Sequence, residues 1–260
     1  MNETIEILMK RKSVRVYSER EVPEAIKSKI LEAAIRAPTA GNMVLYSILN
    51  IEDKDIKNKL VKTCDNQPMI AKAPFVLVFL ADFRRWMDYF EICDVNSMNM
   101  MKKIKGYSPG AGDFMLCASD ALIAAQNAVI AAESVGVGSC YIGDVMENYE
   151  LHREIFDLPD YTFPVGMLCF GYPTEGQVKR VQSTRFPVES VVFKDRYRRL
   201  KREEFHMMYR EMDEKTFKGK YLEGCENIGQ HYYKRKVTSS FMAEMNRSVS
   251  KAIKLWCGEV

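Results

Sequence analysis

The stretch Arg11-Lys12-Ser13-Val14-Arg15 places three cationic side chains around one serine. Arg11, Ser13 and Arg15 are spaced two residues apart, so in an extended segment all three project from the same face. Two guanidinium groups and a hydroxyl on one face suit a phosphate or a polyol, because guanidinium groups bind oxyanions through paired N–H donors. Basic clusters are also common on solvated surfaces, so this stretch alone predicts an anion site without establishing one.

A second stretch, Ala37-Pro38-Thr39-Ala40-Gly41-Asn42, is a run of small and hydrogen-bonding residues. Gly41 allows the main chain to approach a flat ligand closely, and Pro38 stiffens the entry to the turn. The backbone N–H groups and the Asn42 amide are suitable hydrogen-bonding groups for such a ligand. Turns of small residues are common without any ligand, so this stretch is not specific by itself.

Together, and in this order, the two stretches resemble the start of the nitroreductase family of FMN-dependent oxidoreductases. Members open with a short helix, an Arg-x-Ser-x-Arg segment, a second helix and Ala-Pro-Ser-x-x-Asn; here Thr39 replaces the serine. The resemblance covers roughly residues 3–190 and rests on five motifs whose order is the specific signal. It continues through Gln67, Leu80-Ala81-Asp82-Phe83, Ala125-Gln126-Asn127-Ala128, Gly136-Val137-Gly138-Ser139-Cys140-Tyr141-Ile142-Gly143 and Gly171-Tyr172-Pro173.

The resemblance implies FMN as the cofactor, held between the two subunits of an entwined homodimer. One subunit would hold the phosphate, the ribityl chain and two edges of the ring, and the other would face the ring. The assigned residues are Arg11, Lys12, Ser13 and Arg15 for the phosphate and ribityl chain; Pro38, Thr39, Ala40 and Asn42 from the other subunit; Gln67 at the pyrimidine edge; and Tyr141, Ile142 and Gly143 at the reactive edge.

Family members also place basic residues on the FMN phosphate after the Gly-Tyr-Pro motif, typically in a Lys-Pro-Arg-x-Pro context. This sequence instead has Lys179-Arg180 and then Arg185-Phe186-Pro187. The departure leaves open which of the three basic residues reaches the phosphate, and we favour Arg185 and Lys179.

The expected fold class is α+β, a nitroreductase-like three-layer α/β/α arrangement with a mixed, mostly antiparallel sheet. The run from Pro74 to Leu80 is almost continuously apolar, which predicts a central strand covered on both faces. The predicted strands are 45–51, 74–80, 139–142 and 165–171, and the predicted helices are 3–10, 23–37, 113–135, 147–156, 203–221 and 241–256. We expect residues 1–190 to form the FMN-binding core and 191–260 a helical, basic extension.

Two segments of the predicted core are candidates for a dimer interface and for a lid over the cofactor. The helix 113–135 carries small and apolar residues on most faces, which predicts burial at a domain centre or at a dimer interface. The resemblance favours the dimer. Residues 84–113 are predicted to be irregular, and a loop of that length is either a lid over the cofactor, as the resemblance implies, or a surface excursion.

Composition restricts the class of protein. With 47% hydrophobic and 28% charged residues, the 260-residue chain should fold into a globule. Seven cysteines without a Cys-x-x-Cys pair predict reduced thiols and a cytoplasmic location. Three scattered histidines indicate no metal site. We expect no secretory leader and no membrane span, since no stretch approaches the ~20 apolar residues that a span requires.

Charge is unevenly distributed along the chain. Residues 190–260 contain 16 Lys and Arg against 10 Asp and Glu, whereas the whole chain has a net charge of +3. In extended family members a basic segment of this region helps to hold the 2′-phosphate of NADPH, which implies that Lys234 and Arg235 contact this phosphate. A solvated helical surface explains the same charges.

No nucleophile–base pair or carboxylate dyad is recognisable, as expected where a cofactor carries the chemistry. We therefore expect no catalytic side chain and an FMN-dependent NAD(P)H oxidoreductase that reduces nitroaromatics, quinones or flavins by a ping-pong, two-electron cycle. A flavin reductase or a reductive dehalogenase-like enzyme is an alternative within the superfamily. Another is an FMN-binding or basic-tailed regulatory protein without turnover. No nucleic-acid or membrane partner is expected; the acceptor and the choice between NADH and NADPH stay open.

Overall fold

The structure is a computed structural model that describes residues 2–95 and 107–259. Its contacts divide the chain into two compact units. The first unit comprises Met1–Arg180 and Glu244–Val260, and the second comprises Val181–Ala243. The expected functional division at residue 190 stays a prediction.

The first unit is built on a four-stranded sheet with the order β1-β2-β4-β3. All three strand pairs are antiparallel, and an isolated parallel bridge joins Ser13 to Ser139 beside β3. The predicted mixed, mostly antiparallel sheet is therefore confirmed. The strands are β1 (Tyr46–Asn50), β2 (Phe75–Asp82), β3 (Gly138–Ile142) and β4 (Thr162–Gly171).

Helices account for most of the remaining described residues. In the first unit they are α1 (Glu3–Lys10), α2 (Glu24–Ile35), α3 (Lys54–Thr63), α4 (Met69–Lys72), α5 (Arg84–Ile92), α6 (Ala111–Ser134), α7 (Tyr149–Ile155) and α8 (Glu175–Lys179). The second unit contains α9 (Arg202–Met212) and α10 (Ile228–Tyr232), and α11 (Ser240–Trp256) begins in it and continues into the first.

Alternating side chains of β2 divide the core into two layers. Phe75, Leu77, Phe79 and Ala81 belong to a cluster with α2 and α6 on one face of the sheet. The intervening Val76, Val78 and Leu80 pack into a second cluster with α3 and α4 on the other face. Since successive strand side chains point to opposite faces, this central strand is covered on both sides, as the apolar run predicted.

Helix α6 is the central helix of the first unit and buries nine residues, most of them alanine. By length and composition alone it is apolar enough to cross a membrane, contrary to the expectation that no stretch would be, although a core helix passes the same test. Its outer face carries two pairs of exposed apolar side chains about two turns apart, namely Met115, Leu116, Leu122 and Ile123.

Some predicted boundaries were wrong. Residues 84–92 form α5 rather than irregular chain, and the middle of the expected lid, 96–106, lies outside the described residues. Strand β4 begins at Thr162, ahead of the predicted start, because Pro164 is accommodated beside a register shift between Phe79 and Leu80. The predicted helix 203–221 is shorter in the structure. Helix α9 ends at Met212, and a π-turn over Asp213–Phe217 follows it.

Candidate functional site

The Arg11–Arg15 segment is extended and lies beside the β3 edge of the sheet. The Val14 N–H donates to the Ser139 carbonyl at 2.8 Å, and the Val14 side chain is buried against Gly138. A Cβ added to Gly138 would stand 2.8 Å from the Val14 Cβ, so only glycine permits this approach. Because side chains alternate along an extended segment, the residues on either side of Val14 face away from the core.

The segment after β4 is hydrogen-bonded to this motif. The Arg180 guanidinium donates to the Ser13 carbonyl at 2.8 Å, and the Arg15 N–H donates to Gln177 Oε1 at 3.1 Å. The Lys12 ammonium donates to the carbonyls of Val178 and Arg180 at 2.5 and 2.7 Å. Two of the three Lys12 donors therefore hold the end of α8, and Lys12 contributes to the site chiefly by fixing the position of Arg180.

Three guanidinium groups carry positive charge near this edge. Burial raises the pKa of the Cys140 thiol, while the charges of Arg15, Arg11 and Arg180 act in the opposite direction. All three charges therefore act on the same buried thiol of β3, and we call these three groups the guanidinium cluster. An electropositive cluster of this kind, with the Ser13 hydroxyl among its members, is suited to an oxyanion.

Glu133, in the last turn of α6, is a carboxyl group whose ionisation is affected by the charges of Arg11 and Lys12. Burial raises its pKa to about 7, and Arg11 and Lys12 oppose the rise. Its Oε1 atom is buried and has no hydrogen-bond partner among the described residues. Near neutral pH this carboxyl group is therefore partly protonated, which lessens its repulsion of an anion bound nearby.

The other basic candidates make contacts of their own. The Lys179 ammonium is 3.6 Å from Glu175, and its side chain is 79% exposed. Arg185 belongs to the second unit, where its guanidinium donates to the Ser183 and Thr184 carbonyls. Lys234 and Arg235 are also in the second unit; both are exposed, and the Lys234 ammonium donates to the Glu223 carbonyl at 2.7 Å.

Arg15 and Gln67 line the same cavity, which has a volume of about 510 Å³. Tyr17, Met69 and Lys72 complete much of its wall. The Tyr17 hydroxyl is buried without a hydrogen-bond partner in the part of the chain that the structure describes. A cavity of this size, with polar groups at a few fixed points on a largely apolar wall, is typical of a small-molecule site.

Gln67 is held in a single orientation. Its Nε2 donates to the Cys64 carbonyl at 3.0 Å and to Asp144 Oδ2 at 2.8 Å. Both partners are acceptors, so they fix which end of the amide is nitrogen and leave Oε1 as the remaining polar atom.

Tyr141, Ile142 and Gly143 lie at the end of β3. Ile142 is buried, whereas Tyr141 is 37% exposed and its hydroxyl is 3.5 Å from Gln126 Oε1. A Cβ added to Gly143 would meet only Met146 Cε, at 3.8 Å. The backbone of Gly143 is thus exposed, and nothing in the described chain requires glycine there; its contact with a flavin stays a prediction.

The Pro38–Asn42 loop forms a short 3₁₀ turn over Ala40–Asn42 in an unusual conformation. Gly41, Asn42 and Val44 all have φ between 53° and 58°. The left-handed region is costly for a β-branched residue such as Val44, so the loop needs external support. Thr39 Oγ1 provides part of it by accepting from the Val44 N–H at 2.8 Å.

Asp120, a buried carboxylate on α6, provides the rest of that support. It accepts from the Ala40 N–H at 3.0 Å and from the Leu45 N–H at 3.3 Å. The core helix therefore fixes the loop that precedes β1. Asp120 was not among the expected site residues. The sequence signal that could have identified it is an acidic residue on the core-facing side of an alanine-rich helix.

The loop and the arginine segment lie at opposite edges of the sheet. The loop precedes the edge strand β1, while Ser13 is bridged to the other edge strand, β3. Neighbouring strands are about 4.8 Å apart, so β1 and β3 alone are separated by roughly 14 Å. Ala40 and Gly41 instead line a separate, mainly apolar cavity of about 750 Å³ with Met87 and Phe90. One chain does not bring the two predicted halves together.

Comparisons with known proteins find relatives over most of the chain. A family model described as "Nitroreductase family" matches residues 8–172. The chain is 31% identical over 197 residues to an FMN reductase (NAD(P)H) of Bacillus subtilis strain 168, covering 76% of this chain and 75% of that enzyme. It is 29% identical over 202 residues to an NADPH-dependent oxidoreductase of Staphylococcus aureus strain USA300, covering 78% and 77%. The solved structure of B. megaterium NfrA2 superposes with a TM-score of 0.80 at 28% identity, covering 95% of this chain and 98% of NfrA2.

Proposed function

Because the chain belongs to the nitroreductase family, we propose that it is an FMN-dependent oxidoreductase that takes electrons from NAD(P)H and passes them to a small electron-poor acceptor. The observation that carries the proposal is the position of Arg15. It belongs to the segment that Gln177 and Arg180 hydrogen-bond, and it also lines the 510 Å³ cavity that contains Gln67. One ligand with an anionic end and a polar ring would contact both.

The residues present fit FMN. Arg11, Arg15 and Arg180 would bind the phosphate, and Ser13 would hydrogen-bond the phosphate or the ribityl chain. The cavity volume is within the range of small-molecule sites, roughly 300–1,000 Å³. Gln67 would face the pyrimidine edge of the ring. Among Lys179, Arg180 and Arg185, the contact with Ser13 favours Arg180 for the phosphate.

We propose that the second half of the site comes from a second copy of the chain. The Pro38–Asn42 loop lies at the far edge of the sheet, beyond reach of a ring bound beside Arg15 in the same chain. The exposed apolar residues on α6, including Leu122 and Ile123, form a surface of the kind that subunits bury. An isologous dimer through this helix would pair each loop with the arginine segment of the partner chain.

The chain's own residues bind and orient rather than react. Bound FMN would supply two-electron chemistry between NAD(P)H and a nitroaromatic, a quinone or a flavin. The guanidinium cluster would hold the phosphate, Gln67 would hydrogen-bond the ring, and the Tyr141–Gly143 backbone would contact its reactive edge. Donor and acceptor would use this one place in turn, which is a ping-pong scheme.

The donor is proposed to be NADPH or NADH. Arg235 is favoured over Lys234 as the contact of the NADPH 2′-phosphate, because the Lys234 ammonium already donates to the Glu223 carbonyl. A preference for NADPH that is lost in Arg235→Ala, with the rate on NADH unchanged, supports this role. An unchanged preference contradicts it. Lys220→Ala, another exposed cation of the second unit, is the matched control.

Initial-rate kinetics test the proposed cycle. Rates are measured with NADPH or NADH varied at several fixed concentrations of a quinone, a nitroaromatic or free FMN. Parallel double-reciprocal lines are expected, because the donor product leaves before the acceptor binds. Intersecting lines contradict the ping-pong scheme. A protein that binds FMN but oxidises neither nucleotide with any acceptor is a flavin-binding protein without turnover.

A further inference from the structure

Gln67 has no hydrogen-bond donor left for a ligand. Its amide nitrogen donates to the Cys64 carbonyl and to Asp144 Oδ2, at 3.0 and 2.8 Å. A primary amide carries two N–H groups, so both are used. Gln67 lines the 510 Å³ cavity, and the group it has left to present there is its oxygen, an acceptor.

Asp144 is held where it can accept this bond. It is the first residue of a 3₁₀ turn, Asp144–Met146, that begins where β3 ends. The Glu147 N–H donates to the Asp144 carbonyl at 3.0 Å, which closes the turn. The backbone that positions Asp144 is therefore part of the sheet edge rather than a free loop.

Glu147 lies beside Asp144 and is buried, with 6% of its surface exposed. Burial, together with the charges of Asp144 and Asp65, raises the pKa of Glu147 to about 7. A side-chain hydrogen bond with Asp144 also raises this pKa. Gln67 Nε2 donates to Asp144 Oδ2, so this carboxyl oxygen is the acceptor for the Gln67 amide.

We propose that Asp144 is a positioning residue that makes Gln67 a pure acceptor, so that the cavity selects a ring edge presenting an N–H donor. This inference rests on the proposed function, in which that edge is the pyrimidine edge of FMN. The imide N–H at flavin position 3 is the matching group. A ring that offers only oxygens at this point would place them against the Gln67 oxygen and leave it without a partner.

The consequence is measurable because methylation at N3 removes the donor and leaves the rest of the flavin unchanged. An amide oxygen that loses its partner on binding costs affinity, and here we expect FMN to bind at least about tenfold tighter than 3-methyl-FMN. A role of Asp144 in folding alone would weaken both flavins by the same factor. The ratio of the two dissociation constants therefore reports positioning.

The experiment titrates the full-length, flavin-free protein with FMN and with 3-methyl-FMN, following the quenching of flavin fluorescence. Gln67→Leu should reduce the preference to near unity. Asp144→Ala frees one amide N–H and should reduce it at least about threefold. Asp144→Asn keeps an acceptor oxygen and should preserve it within about twofold. Asp65→Asn, which removes a neighbouring exposed carboxylate in a left-handed position that asparagine tolerates, should leave the ratio unchanged.

Each outcome decides one question. If Asp144→Ala leaves the ratio of the two dissociation constants unchanged, Asp144 does not position Gln67. If Asp144→Asn loses the preference for FMN, the charge of Asp144 matters rather than its acceptor oxygen, and the proposed role is also wrong. Wild-type protein that binds FMN without preference over 3-methyl-FMN contradicts this inference alone. Wild-type protein that binds neither flavin contradicts the proposed function instead.

Discussion

Val14 and Gly138 are packed so closely that a Cβ on Gly138 would lie 2.8 Å from the Val14 Cβ. The contact sits directly beneath the arginine segment, since the Val14 N–H donates to the Ser139 carbonyl. Because Gly138 has no side chain, the arginine segment can lie directly against the sheet. The proposed cofactor contacts and the stability of the core are therefore coupled at this point.

Gly138→Ala should impair both properties. The added methyl group forces Val14 and the flanking arginines outward, and overpacking of this kind costs about 1–3 kcal/mol of the free energy of unfolding. We expect a lower midpoint of urea unfolding together with at least tenfold weaker FMN binding. Gly176→Ala is the matched control, because an added Cβ at Gly176 meets nothing within 4 Å and the residue lies in α8. If Gly138→Ala and Gly176→Ala have the same urea midpoint and the same affinity for FMN, the Val14–Gly138 contact does not position the arginine segment.

Arg180→Ala should weaken FMN binding by about 10- to 100-fold, the loss expected for one charge-assisted hydrogen bond of about 1.5–3 kcal/mol. Riboflavin, which lacks the phosphate, should bind Arg180→Ala and the wild type equally. Lys179→Ala is the neighbouring control and should bind FMN as the wild type does, because its ammonium lies beside Glu175. The opposite ranking of the two variants would assign the phosphate contact to Lys179.

Much of this architecture could be predicted from sequence, because it depends on local patterns. The apolar run of β2 predicted a strand buried on both faces, and Gly136, with φ of 76°, ends α6 as a glycine cap. The order of short motifs was enough to identify the family. These features are encoded in neighbouring residues.

The remaining features depend on pairs that are distant in sequence. Asp120 supports the loop at Ala40 from 80 residues away, and Asp144 fixes Gln67 from 77 residues away. No periodicity marks such a contact. Spacing also does not decide whether Lys179 or Arg180 faces the arginine segment, because the two are adjacent at the end of a short helix and only its orientation separates them.

Glu147 should make stability fall as pH rises. Its pKa of about 7 in the folded state exceeds the unfolded value of about 4.3, so the folded protein binds more protons between these two values. The stabilisation is complete below pH 4 and is lost as pH rises through 7. Glu147→Gln removes this titration. Relative to the wild type, the variant should gain on the order of 1–3 kcal/mol between pH 5 and pH 8, measured by urea unfolding at each pH.

Glu150→Gln is the control of opposite sign. Hydrogen bonds from Arg247 and Lys251 hold the pKa of Glu150 below its ordinary value, so its contribution is present at neutral pH and is lost on acidification. Its replacement should destabilise the protein at pH 7, and the deficit should shrink toward pH 3. A Glu147→Gln difference that is constant from pH 5 to pH 8 contradicts the assigned ionisation.

Ile123→Asp should convert a dimer into monomers. Ile123 lies on the exposed apolar face of α6, and a charge at a buried subunit contact is costly. Light scattering after gel filtration should show the mass of two chains for the wild type and of one chain for the variant, which should also lose FMN. Val181→Asp, at an 87% exposed apolar position, is the control and should stay dimeric. A wild type that is monomeric and fully loaded with FMN rules out the shared site.

The most direct test of the central claim is the absorbance spectrum of the purified full-length protein, before and after anaerobic addition of NADPH and, separately, NADH. The account predicts flavin bands at one FMN per chain, bleaching by at least one nucleotide, and recovery when a quinone or a nitroaromatic is added. A colourless protein that takes up no added FMN contradicts the account.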